Sequence, residues 1–162
     1  MIPPIKFLEL DRVYIPLYFK PFYSQTMLKY NFKVDTGADS FIMSKEDLYK
    51  LGYTYEWIFS NIAARGLVEL ANKTTVEVGV VQLPLMNILG YECKQWPFMV
   101  IMEEDMDFRN LLGRDLLAGF NYTFNNDKKE FAIEKTMYFC YTGGKRYEGQ
   151  DIHEFKQLVP DY

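Results

Sequence analysis

The residues best suited to chemistry are Asp35-Thr36-Gly37-Ala38. They follow an alternating run, Leu28, Tyr30, Phe32 and Val34, that reads as a strand, and apolar chain resumes at Phe41-Ile42. An Asp-x-Gly triplet alone is ordinary turn vocabulary. Set at a strand end between apolar stretches, it fixes a carboxylate where surface turns rarely do. A carboxylate held there can take a proton from water or give one to a reacting oxygen. A second signal, Leu111-Leu112-Gly113-Arg114-Asp115-Leu116-Leu117, joins paired apolar residues and a glycine to an Arg-Asp pair.

Other chemistry finds little support. His153 is the only histidine, so a metal site of the several-histidine kind lacks ligands, and neither metal nor organic cofactor is expected. Cys93 and Cys140 stand at no motif spacing and read as two buried thiols of a reducing compartment. Asn72-Lys73-Thr74 and Asn121-Tyr122-Thr123 fit the glycosylation pattern, as chance matches in a chain without a secretion signal.

The elements that must position Asp35 are mostly strands. Residues 13–34 alternate apolar and polar side chains around breaks at Lys20-Pro21 and Ser24-Gln25, which predicts two antiparallel strands. Ser44-Lys45-Glu46-Asp47 starts a short helix that Gly52 ends. Residues 65–82 predict a hairpin turning at Ala71-Asn72-Lys73. Strands follow at 96–102, 121–125 and 130–135, the last two joined at Asn125-Asn126-Asp127-Lys128, with a brief helix at 116–119. The expected class is mainly β, as one domain over 1–162 with a core of about 13–135 and a C-terminal extension, 136–162.

The charge balance narrows the partners. Net charge is −4, with 18 Lys and Arg against 22 acidic residues and no basic run longer than Lys145-Arg146, so no nucleic-acid partner is expected. No stretch reaches the roughly 18 apolar residues of a membrane span, and the start lacks the pattern of a signal peptide, so the expectation is a cytoplasmic protein without a membrane partner.

The two motifs together resemble those of the retropepsin-like aspartic peptidases, the family of the retroviral proteases and their bacterial relatives, over about residues 13–135. The resemblance implies a closed β-barrel of the acid-protease kind, a single lobe with one or two short helices and a flap hairpin. It implies Asp35 as the catalytic carboxylate. It gives Thr36 a contact with a partner loop, Gly37 a backbone turned to the substrate, and Ala38 an uncrowded cleft floor. Leu111, Leu112 and Gly113 would brace the loop. Asp39 and Arg114 would form a partly buried ion pair, with Asp115 in the next place. Ala71-Asn72-Lys73 resembles the flap tip of bacterial relatives, with Lys73 where they carry glycine; Arg65-Gly66 is the competing position.

Peptide hydrolysis by carboxylates needs one ionised and one neutral. Two carboxyls about 3 Å apart share a proton and titrate as a unit. The chain has one Asp-Thr-Gly and no internal repeat, so the second carboxylate would come from a twofold-related copy. The expected function is that of a homodimeric aspartic endopeptidase acting on polypeptides. The alternative is a dimeric binding or scaffolding domain of the same fold with slight or no activity, which Lys73 at the suspected flap tip favours. A third reading, a plain β-barrel with Asp35 as a turn residue, leaves the late glycine and the Arg-Asp match unexplained.

Overall fold

A computed structural model describes residues 2–69, 72–103 and 110–136. Its strands in chain order are β1 (Ile5–Lys6), β2 (Tyr14–Phe19), β3 (Leu28–Val34), β4 (Ile42–Met43), β5 (Ala64–Glu69), β6 (Thr75–Ile88), β7 (Tyr91–Ile101), β8 (Leu111–Leu112), β9 (Phe120–Asn125) and β10 (Glu130–Lys135). Three short helices are interspersed: α1 (Lys45–Lys50), α2 (Tyr55–Ser60) and α3 (Arg114–Leu117). The mainly β class is as expected, with three helices among the described residues rather than one or two.

The strands close on themselves. From β2 the hydrogen-bonded order runs β3, β8, β4, β7, β6, and β6 returns to β2 through Leu17↔Ile88, Tyr18↔Asn87 and Phe19↔Met86. The β2–β3 pair is antiparallel and in register from Tyr14↔Lys33 to Phe19↔Leu28, as the alternation over 13–34 predicts. That period of two sends Ile15, Leu17, Phe19, Phe32 and Val34 inward. A second sheet, β1-β10-β9, is not hydrogen-bonded to the ring but packs Phe120, Phe131 and Ile133 into the same core, with the predicted 125–128 turn between β9 and β10.

Aromatic rings fill the centre. Phe32 stands 5.8 Å from Phe19 and 5.1 Å from Phe41, centroid to centroid, and all three are fully buried. The chain that leaves β3 at Asp35 thus returns to the core at Phe41, so the loop between is pinned at both ends. A smaller cluster joins Ile42, Met99 and Ile101 to Val76, Val78 and Val80 of β6.

Differences from the sequence expectations have local causes. Strands β6 and β7 are far longer than the alternation suggested, because they meet in a hairpin at Leu89-Gly90, where φ is +53° and +88°. A two-residue hairpin turn of type I′ needs both central residues at positive φ. Leucine is a poor advertisement for that, although Asn87 Oδ1 steadies the turn by accepting from the Gly90 amide at 3.1 Å. Helix α1 is capped as expected by Ser44, whose Oγ accepts from Glu46 N. Helix α2 was not anticipated; Thr54 caps it through Trp57 N at 3.1 Å, a signal present in the sequence. The brief helix expected at 116–119 starts earlier, at Arg114. The extension 136–162, apart from Thr136, lies outside the described residues, as do Cys140 and His153.

Removing Phe32 takes out the ring that joins β2 to the returning loop. Phe32→Ala should cost about 3 to 5 kcal/mol, read as a lower midpoint of denaturant unfolding with little change in slope.

Candidate active site

Asp35 begins where β3 ends, and the chain from 111 to 115 runs beside it. The Asp35 amide donates to Leu112 O at 3.0 Å, extending the parallel β3–β8 pairing by one residue. The bend then tightens: Ala38 N donates to Asp35 O at 3.1 Å, and Gly37 N donates to the Asp35 carboxylate at 3.0 Å. One carboxylate oxygen is thereby oriented by backbone, while the side chain stays half-buried and Thr36 and Gly37 are exposed. A Cβ on Gly37 would come within 3.3 Å of that same oxygen.

Beyond the bend the later segment donates twice to the loop. Arg114 N donates to Ala38 O at 2.9 Å and Asp115 N to Asp39 O at 3.1 Å. Gly113 passes so close to Ser40 that a Cβ would lie 2.3 Å from its carbonyl oxygen and 2.6 Å from its nitrogen. Only glycine allows this crossing. Leu112 is fully buried and Leu111 half-buried, and Leu111 pairs with both Lys33 and Ile42. Leu111, Leu112 and Gly113 thus run directly beside β3, β4 and the Asp35 loop.

Asp39 and Arg114 do meet, with Arg114 Nη2 donating to Asp39 Oδ1, but the pair is not partly buried as expected. Their side chains remain 50% and 63% exposed. The buried carboxylate is the next one, Asp115, at 6% exposure. Its Oδ2 accepts from Phe41 N at 2.8 Å and its Oδ1 from Leu116 N at 2.6 Å. Asp115 thus ties the end of the Asp35 loop to the first turn of α3. The sequence placed it beside Arg114 without indicating which of the two faces inward.

The hairpin of β5 and β6 projects from the ring, because β5 pairs with β6 alone. Glu69↔Thr75 closes its ladder, and Asn72 Oδ1 accepts from Thr74 N at 2.9 Å in the turn. Lys73 has φ +69°, so the turn falls at the predicted tip and takes the backbone conformation that glycine would adopt freely. Ala71 lies outside the described residues. Arg65 and Gly66 sit within β5 and are not the turn. One face of the ribbon is not free: Val76 and Val78 are buried with Ile42, while Leu67, Glu69 and Thr75 are exposed. The base of the ribbon and β4, which follows the Asp35 loop, share a hydrophobic cluster. A separate hollow of about 430 Å³, lined by Tyr18, Lys20, Leu85 and Glu92 among others, includes none of the loop residues.

The model of the family described as "gag-polyprotein putative aspartyl protease" matches residues 27–118, which include both motifs. Among solved structures, the chain is similar to a retropepsin-like aspartic protease from Rickettsia conorii, at 24% identity and a TM-score of 0.60, over 83% of this chain and 98% of that one. It is also similar to the retroviral protease-like domain of Ddi1 from Leishmania major, at 21% identity and a TM-score of 0.51, over 79% and 92% of the respective chains. No curated protein matches.

The exposed ion pair and the buried carboxylate beside the loop should differ sharply on truncation. Arg114→Ala breaks an exposed pair, for an expected loss of about 0 to 1 kcal/mol. Asp115→Ala strips the acceptor from two buried amides, at about 1 to 3 kcal/mol each. Thermal or denaturant unfolding of the two variants gives the comparison directly.

Proposed function

Because this chain belongs to the retropepsin-like aspartyl protease family, we propose that it is an aspartic endopeptidase whose active site is completed by a second copy of itself, with Asp35 from each. The observation that carries this reading is the Asp35 loop. Its carboxylate is aimed by the Gly37 amide, and the loop is tied to 111–115 by three backbone hydrogen bonds and the buried Asp115, yet Thr36 and Gly37 stay on the surface. A loop so rigid and so exposed is suited to meeting its own twofold mate.

In the dimer the two Asp35 carboxyls would hold one proton between them, since like charges about 3 Å apart do not both ionise. The ionised one takes a proton from the water lying between them as that water attacks the scissile carbonyl. The neutral one donates to the carbonyl oxygen. The tetrahedral intermediate then collapses as its nitrogen is protonated and the carbon–nitrogen bond breaks, and the shared proton is restored. Peptide would lie extended across the cleft, with the ribbon of β5 and β6 closing over it to exclude bulk water.

Asp35→Asn should lower hydrolysis of a peptide library by about 10²- to 10⁴-fold or more while leaving unfolding and sedimentation unchanged. Retained activity would move the chemistry elsewhere. An active species that sediments as a monomer at every concentration would remove the shared site.

A further inference from the structure

The antiparallel ladder between β6 and β7 ends abruptly at Val78↔Ile101, immediately below the projecting ribbon. The next opposed residues, Glu77 and Met102, would ordinarily exchange two backbone hydrogen bonds. Only one is made: Met102 N donates to Glu77 O at 2.9 Å. The reciprocal bond is replaced on both sides by side chains. Lys45 Nζ, from the first turn of α1, donates to Met102 O at 2.9 Å. The amide of Glu77 instead donates to the Glu103 carboxylate, at 3.2 Å to Oε1 and 3.1 Å to Oε2. The Glu77 side chain turns away to Arg65 across the ribbon, at 3.3 Å, and Arg65 lies over the Phe59 ring of α2 at 4.9 Å.

We propose that Lys45 and Glu103 form a latch at the base of the ribbon, in which Lys45 occupies the carbonyl that would extend the ladder and Glu103 serves as a releasable substitute acceptor for the Glu77 amide. A backbone ladder bond is held by its neighbours on either side. A bond to the tip of an exposed glutamate can open by a side-chain rotation alone, letting the ribbon beyond Val76 swing while Val76, Val78 and the cluster they belong to stay in place. The latch rests on the reading of this ribbon as the flap of a peptidase, for which Glu103 and Lys45 would be positioning residues that touch no substrate.

Amide hydrogen exchange on the substrate-free protein tests the latch independently of any peptidase activity. Glu103→Ala should speed exchange at Glu77 and its ribbon neighbours Thr75 and Val76 by about three- to tenfold, with Val100 unchanged. Lys45→Met should act in the opposite sense, because it frees Met102 O to complete the ladder and so slows exchange at Glu77. In peptide hydrolysis, Glu103→Ala should then alter KM more than kcat, and Glu103→Gln, which keeps one acceptor oxygen, should restore much of the wild-type exchange. Ribbon exchange unaltered in Glu103→Ala, or equal acceleration of ribbon and core in both variants, overturns the latch. Altered exchange without any hydrolysis by wild type leaves the latch standing and refutes the peptidase reading instead.

Discussion

The constraint on which the site depends is the crossing of Gly113 over Ser40. Two backbones can approach that closely only where one lacks a Cβ, and the hydrogen bonds on either side of the crossing exist because of it: Asp35 to Leu112 before, Arg114 to Ala38 and Asp115 to Asp39 after. Strands β4 and β8, two residues each, have too little local structure to persist alone. They are held by being sandwiched between β3 and β7 and by the crossing itself. The orientation of one carboxylate thus follows from a long-range contact rather than from the Asp-Thr-Gly turn, which by itself would be a surface bend.

Stability falls off from that point toward the ribbon. The loop is anchored by backbone bonds, by a buried carboxylate and by Phe41 in the aromatic core. The ribbon has one buried row, Val76 and Val78, an exposed edge strand, and side-chain acceptors at its base. Low opening energies concentrate where exposed hydrogen bonds outnumber buried apolar contacts. A hydrolase of the proposed kind needs that gradient, with fixed charge on the cleft floor and a movable roof.

What could be read from the sequence divides along the same line. Alternation identified β2, β3, β9 and β10 because each buries one face, and the turn around Lys73 was legible from its polar residues. The Leu89-Gly90 hairpin was missed because leucine at positive φ carries no turn signature, and its strands bury residues on both faces as they cross the ring. Helix α2 was missed because Tyr55, Trp57 and Phe59 look like strand material; Thr54 and the packing of Trp57 against Tyr53, 4.5 Å between rings, make it a helix. At the site, the resemblance pointed to two segments that the structure brings side by side, with the burial of neighbours reversed. Asp39 and Arg114 have opposite charges and are expected to be partly buried, whereas the inward carboxylate is Asp115, whose partners are amides that no side-chain pattern reveals.

That reversal bears on how the site would work. A buried Arg–Asp pair would brace the loop by charge, with a strength that depends on what surrounds it. A carboxylate accepting from Phe41 N and Leu116 N braces it by direction, since both amides belong to backbone already fixed by the crossing. Asp39 and Arg114 are consequently left at the surface, Asp39 on the same loop as Thr36 and Arg114 beside it at the start of α3. Under the proposed dimer they would be available to the second copy, and their exposure in a single chain need not persist there. Burial on association would turn a pair worth little in water into one whose disruption costs several kcal/mol. Arg114→Ala would then weaken assembly far more than it weakens the fold of one chain, visible in sedimentation as a dimer that dissociates at higher concentration than wild type while the unfolding of the dissociated chain is little changed.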